Sequence, residues 1–178
     1  MDVTLITGNK GKAEYFEKLM GMKINHIDVD VEEIQSLDLE EIIKHKVMQA
    51  YNIVKKPVVV EDVSLEFKAF GRLPGTFIKF FLKELPMQEI CDLLNNKSRE
   101  ATARCIIGYY DGKNIEMFKG ELSGSIAISP KGERGYGWDK IFIPDGYNIT
   151  RAEMNEEDDK KTYLTMKRLD LLKEFLIK

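Results

Sequence analysis

The chain has 178 residues, close to the roughly 150 at which one domain is the default expectation. Apolar residues make up 43% and charged residues 32%, a balance that excludes a disordered or fibrous chain. The 27 basic and 30 acidic residues leave a formal charge of −3. No global positive field therefore recruits nucleic acid, and a polyanion must be held by a local site.

Val3 to Ile6 reads as a short buried-type strand, punctuated by Thr7-Gly8-Asn9-Lys10-Gly11 and followed by a helical pattern from about Lys12 to Met20. Ile24 to Val31 predicts a second strand. Leu39 to Val54 predicts a long helix with Ile42, Ile43, Val47, Ala50, Tyr51 and Val54 on one face. Pro57 to Val60 is a buried strand that runs into Glu61-Asp62. This β-α-β-α-β order points to an α/β sheet with crossover helices. Further on, Leu85 to Leu94 predicts a helix, and Ala101 to Tyr110 with Ile115 to Ile128 predicts an antiparallel pair around Asp111-Gly112-Lys113-Asn114. Phe77, Phe80 and Phe81 fit either core or interface. Gly132 to Gly137 is a glycine-rich loop, Ile141 to Ile143 a short strand, and the chain from about Glu153 turns acidic and then helical to Lys178. A mixed sheet with a second, more antiparallel lobe is expected.

Cys91 and Cys105 form no CxxC pair, and with His26 and His45 they make no zinc spacing. Two reduced, mostly buried thiols are expected, as in a cytoplasmic protein. The N-terminus lacks the basic segment and longer apolar stretch of a signal peptide, and no apolar run reaches the roughly 20 residues that span a bilayer.

Three segments can carry chemistry. In Thr7-Gly8-Asn9-Lys10-Gly11-Lys12, two glycines admit close backbone approach, and free amides at a helix start favour an anion. Lys10 and Lys12 add charge, and Thr7 and Asn9 add hydrogen bonds, which suits a phosphate; an ordinary turn with solvated lysines fits the same spacing. Glu61 and Asp62 end one candidate strand and Glu32 and Glu33 follow another. Carboxylates at strand ends can jointly hold Mg²⁺, which takes one or two of them plus phosphate oxygens; taken singly, each fits a solvated surface acid. Gly135-Tyr136-Gly137-Trp138-Asp139 offers aromatics for stacking on a flat ring and a carboxylate for base N–H groups, and equally fits a tight turn with a core aromatic. Neither histidine stands near a nucleophile-elbow pattern.

Taken together, these segments resemble the inosine-triphosphate pyrophosphatase family of nucleotide-pool cleansing enzymes, in order and with the family's spacing from Thr7 to the final helix. The Thr-x-Asn-x-x-Lys element appears as Thr7, Asn9 and Lys12, the metal-binding Glu as Glu33, the helix lysine as Lys46, and the acidic pair as Glu61-Asp62 followed by Leu73-Pro74-Gly75-Thr76. Gly135 to Asp139 matches the Gly-Phe-Gly-Tyr-Asp-type element. The resemblance implies an elongated, two-lobed α/β fold with its active site in a central cleft, a single domain over 1–178 with lobes at about 1–70 plus 130–178 and 71–129, and a homodimer. It implies hydrolysis of a nucleoside triphosphate to monophosphate and pyrophosphate with Mg²⁺, without nucleic-acid or membrane partners. Thr7, Gly8, Asn9, Lys10, Gly11 and Lys12 would grip the triphosphate, Glu33, Glu61 and Asp62 would hold the metal, and Asp62, Lys12 and Lys46 would serve catalysis. Val63, Tyr136, Gly137, Trp138, Asp139 and Lys160 would complete the substrate site.

The tail departs from the family. Where the family carries a lysine and then Ser-His-Arg, the ungapped register puts Asp159 and then Tyr163-Leu164-Thr165; a slight helix shift would let Lys160 or Lys161 replace the lysine. Val63-Ser64 stands where Ser-Gly or Thr-Gly is usual. Nothing replaces the histidine and arginine, so half of the base-reading site is missing, which predicts a relaxed or altered base preference. The alternatives are a pyrophosphatase for another nucleotide, as in the related Maf-like group, or a nucleotide-binding protein with little turnover.

Overall fold

The computed structural model describes residues 3–8 and 10–177. Among them it places seven strands, β1 (Thr4–Ile6), β2 (Asn25–Ile27), β3 (Val58–Phe67), β4 (Pro74–Gly75), β5 (Glu100–Tyr110), β6 (Ile115–Ile126) and β7 (Phe142–Pro144). The helices are α1 (Lys10–Met20), α2 (Leu39–Val54), α3 (Ile78–Glu84), α4 (Met87–Asp92), α5 (Glu156–Lys167) and α6 (Leu169–Leu176). The fold is α/β with a mixed sheet of order β2-β1-β3-β5-β6-β7, and β4 pairs with β3 off this path. β1 runs parallel to β2 and to β3, whereas β3–β4 and β6–β7 are antiparallel.

Helix α2 spans the predicted residues because each of its signals agrees. The Asp38 carboxylate accepts from the amides of Glu40 and Glu41 at its start, and Lys55 closes it with a left-handed φ of 56°. Leu39, Ile43, Val47 and Ala50 pack with Ile6, Val58, Val60 and Ile106 in one core cluster. Gly108 of β5 lies beneath this helix so closely that a Cβ there would sit 2.4 Å from Ile43 Cγ2 and 2.9 Å from Val47 Cγ1.

Several predicted boundaries shift. β2 stops at Ile27, and all three of its residues are exposed at the sheet edge. Val29 and Val31, which lengthened the apolar pattern, pack on the core cluster from irregular backbone instead. β3 does not end at Glu61-Asp62 but continues to Phe67, exchanging its parallel partner β1 (Leu5 opposite Val59) for antiparallel β4 (Leu65 opposite Gly75). Helix α1 begins at Lys10, so Gly11 and Lys12 belong to its first turn. Helix α3 was not anticipated; it buries Ile78 and leaves Phe80 exposed. The single tail helix is two, separated at Arg168 with a left-handed φ of 50°.

The chain forms two compact units, one within Met1–Asp62, Cys105–Gly120 and Lys167–Lys178, the other Val63–Arg104 and Glu121–Met166. β3, β5 and β6 each place their two ends in different units, which element order alone does not reveal. Cys91 and Cys105 are buried free thiols. Among the described residues no helix is long and apolar enough to cross a membrane.

Candidate functional site

Successive residues of a strand point to opposite faces, so the neighbours Glu61 and Asp62 on β3 enter different surroundings. On one side Asp62 Oδ2 accepts from Lys46 Nζ at 3.2 Å, and the same ammonium donates to Glu33 Oε1 at 3.1 Å. Three residues from the irregular segment, α2 and β3 thus meet at one point. Burial alone would lower the Lys46 pKa, but the Asp62 and Glu33 carboxylates raise it above the ordinary lysine value. The segment carrying Glu33 is tied to α2 by Gln49, which accepts from the Glu32 amide and donates to the Glu32 carboxylate, both at 3.0 Å.

On the other side the Glu61 carboxylate, only 7% exposed, contacts Lys12 Nζ at 3.1 Å and the ammonium of Lys167. Burial alone would raise the Glu61 pKa; Lys167 and Lys12 reverse this and hold it down at about 2. Lys167 ends α5 and its side chain is 2% exposed. Glu61 thus meets Lys12 and Lys167, whereas Glu33 and Asp62 meet on Lys46.

The glycine-bearing loop is partly committed to the fold. The Thr7 amide donates to Ile27 O at 3.1 Å, within the parallel sheet. Gly8 lies against Asp28, whose Oδ1 would be 2.6 Å from a Cβ at that position. Gly11 and Lys12 bring first-turn helix amides, which have no partner within the helix. Asn9 and the side chain of Lys10 lie outside the described residues.

In the second unit, Gly135 and Gly137 take φ of 74° and 61°, values that glycine adopts without a Cβ clash. The turn they shape lets Asp139 Oδ2 accept from the Tyr136 amide at 2.9 Å. Trp138 is buried in the core and Asp139 is buried beside it, whereas Tyr136 is exposed. Tyr136, rather than Trp138, is thus the aromatic available for stacking. Val63 is half-buried on β3, and Lys160 is exposed on α5.

Two residues that the sequence did not single out complete these arrangements. Lys167 pairs with a glutamate 106 positions away, a separation without local signal. Arg151, 3% exposed, donates to Asp139 and Asp159; its only sequence trace is a lone basic residue after Thr150, in a turn closed by a Thr150–Glu153 capping box.

The model of the Ham1 family matches residues 3–175. The chain is 37% identical over 176 residues to inosine triphosphate pyrophosphatase 2 of Trypanosoma cruzi, covering 96% of this chain and 90% of that protein. It is 35% identical to inosine triphosphate pyrophosphatase of Scheffersomyces stipitis, covering 98% and 97%. Among solved structures, a HAM1 protein from Coxiella burnetii superposes with a TM-score of 0.84 at 23% identity, over 98% of both chains. On this match in sequence and fold, the chain belongs to the Ham1 family.

Proposed function

We propose that the protein is a Mg²⁺-dependent nucleoside-triphosphate pyrophosphatase that hydrolyses non-canonical nucleotides such as ITP and XTP to monophosphate and pyrophosphate, with relaxed base preference. The observation that carries this reading is the convergence of Glu33 and Asp62 on one ammonium, with Lys46 Nζ 3.1 and 3.2 Å from their oxygens. The relatives named inosine triphosphate pyrophosphatase support it.

Among the described residues no group of three or more His, Cys, Asp or Glu is placed to hold a metal. Two converging carboxylates nevertheless suit Mg²⁺, which takes one or two of them and completes its shell with water and substrate phosphates. Glu33 and Asp62 would hold it, with Glu61, engaged by Lys12 and Lys167, beside Asp62 in the sequence. Bound Mg²⁺ supplies positive charge that offsets the phosphate oxygens. Asp62 orients and deprotonates the water that attacks the α-phosphorus; the bond from that phosphorus to the bridging oxygen breaks, and pyrophosphate leaves. Lys46 and Lys12 supply fixed positive charge for the departing group, the positioned electrostatics on which phosphoryl transfer depends. Thr7, Gly8, Asn9, Lys10 and Gly11 would bind the triphosphate, and Tyr136, Gly137, Val63 and Lys160 would bind the base, with Trp138 and Asp139, both buried, shaping the turn that carries Tyr136. A homodimeric, cytoplasmic enzyme belongs to the same reading.

The test is pyrophosphate release from ITP, XTP, dUTP and the standard triphosphates, with and without Mg²⁺, for wild type and Asp62→Asn. Metal-dependent release that disappears in the variant supports the proposal. Binding without release from any substrate would favour the binding-only alternative, and release confined to a pyrimidine nucleotide would favour the Maf-like one.

A further inference from the structure

Between β2 and α2 the chain from Asp28 to Ser36 takes no regular structure, yet it carries Glu33. Val29 and Val31 pack it on the core cluster, a non-directional contact that leaves the aim of a neighbouring polar side chain open. Two residues of α2 supply that aim. Lys46 and Gln49 are three apart and so share a helix face. Lys46 Nζ reaches Glu33 Oε1 at 3.1 Å, and Gln49 takes the residue before it. Gln49 Oε1 accepts from the Glu32 amide at 3.0 Å, and Gln49 Nε2 donates to Glu32 Oε2 at 3.0 Å. The backbone donor fixes which end of the Gln49 amide is oxygen, so Nε2 also faces His45 Nε2, at 3.3 Å, and the imidazole accepts there. The side-chain amide thus uses its oxygen and both of its protons. Leu39, Ile43, Val47 and Ala50 hold α2 in the core, which makes the helix a fixed base for this clamp.

We propose that Gln49 is a positioning residue: by clamping Glu32 at backbone and side chain, it holds Glu33 at the point shared with Asp62, where Mg²⁺ would bind. The proposal rests on the pyrophosphatase reading and its metal, and adds to them the group that prepares the metal point. Gln49 does not touch the ion; it acts through the backbone of the residue next to Glu33. Asp62 lies within β3, so strand pairing sets its backbone. Glu33 comes from irregular chain and its side chain is 38% exposed, so neither pairing nor burial confines it. Any freedom it kept would be lost on binding the ion, at the expense of affinity. Groups that hold a metal ligand in place typically govern about 10–100-fold in metal affinity or activity. An acid and an amide face each other in this clamp, and exchanging the two leaves both hydrogen bonds available with the net charge unchanged.

The test compares wild type, Gln49→Leu and the exchanged pair Glu32→Gln with Gln49→Glu. Hydrogen exchange of the residue-32 amide, followed by NMR, reads the clamp without metal or substrate. Binding of Mn²⁺ alone, followed by electron paramagnetic resonance, reads the metal point. The Mg²⁺ concentration for half-maximal pyrophosphate release from ITP reads it during turnover. Gln49→Leu is expected to speed the amide exchange about tenfold. It should weaken Mn²⁺ binding and raise the half-activating Mg²⁺ about tenfold or more, with the change carried by the metal dependence rather than by kcat. The exchanged pair should keep the slow amide exchange and bind Mn²⁺ as wild type does. A merely structural role would lower the melting temperature of Gln49→Leu and leave its Mn²⁺ binding and half-activating Mg²⁺ at the wild-type values, which overturns the proposal. An exchanged pair that keeps slow amide exchange yet loses Mn²⁺ as fully as Gln49→Leu also overturns it, because the Glu32 carboxylate would then itself hold the ion. So does a wild type that binds no Mn²⁺. If Mn²⁺ binds but no triphosphate is cleaved, the pyrophosphatase reading falls, and amide exchange with Mn²⁺ binding decides the clamp by itself.

Discussion

Replacing Glu61 by Gln tests the buried ion cluster directly. The Glu61 pKa is held at about 2 against an ordinary value of 4.5. At about 1.36 kcal/mol per unit, the cluster contributes roughly 3 kcal/mol to folding at neutral pH. Glu61→Gln deprives the Lys167 ammonium, 2% exposed, of its carboxylate, whereas Lys12, 30% exposed, can turn to water. Breaking a buried pair from one side typically costs about 3–5 kcal/mol, so the two routes agree on a loss near 3 kcal/mol. With a urea slope of about 1–3 kcal/mol/M, the denaturation midpoint at pH 7 should fall by about 1–3 M. The folded-state pKa is depressed, so the stabilisation is present above the unfolded-state value and is lost as pH falls from about 4.5 towards 2. The gap between wild type and variant should close over that interval. The double variant Glu61→Gln, Lys167→Met removes both charges and should recover at least half of the loss. A loss below about 1 kcal/mol at pH 7, or a double variant as unstable as the sum of the singles, would refute the account.

The remaining predictions concern neighbouring groups. Lys12→Ala should change stability by less than about 1 kcal/mol, as expected for a partly solvated ion pair, yet raise KM for the triphosphate at least tenfold in steady-state assays of pyrophosphate release. Lys46→Met removes the ammonium that Glu33 and Asp62 share and, on the proposed mechanism, fixed charge from the transition state. It should lower kcat about 10²–10³-fold in the same assay. Gly108→Ala places a methyl group 2.4 Å from Ile43 Cγ2, and such overpacking should cost about 1–3 kcal/mol in thermal or urea unfolding without changing the base ranking.

The elements legible in the sequence were those whose signals are local. Helix α2 follows from its apolar face; β5 and β6 follow from alternation on either side of Asp111–Asn114, where the Asp111 carboxylate accepts from the amides of Lys113 and Asn114 at 2.8 and 2.7 Å. β2 was misjudged because Val29 and Val31 are apolar for packing rather than for pairing. Helix α3 escaped notice because its seven residues are too few to show a period.

The candidate site divides in the same way. By itself the sequence determined the α/β class, the placing of lysines and glycines where a strand meets a helix, and the residue types at Glu33, Lys46, Glu61 and Asp62, since strand–turn–helix punctuation and motif spacing act over a few residues. Only the tertiary structure decided that Glu61 turns from Asp62 to meet Lys12 and Lys167, and that Arg151 anchors Asp139, Asp159 and Tyr163. Those contacts join β3 to α1 and to the end of α5, and a 3₁₀ turn to a loop and a helix. Their partners are chosen by burial, which forces each charged group taken out of water to find an opposite charge wherever the folded chain presents one.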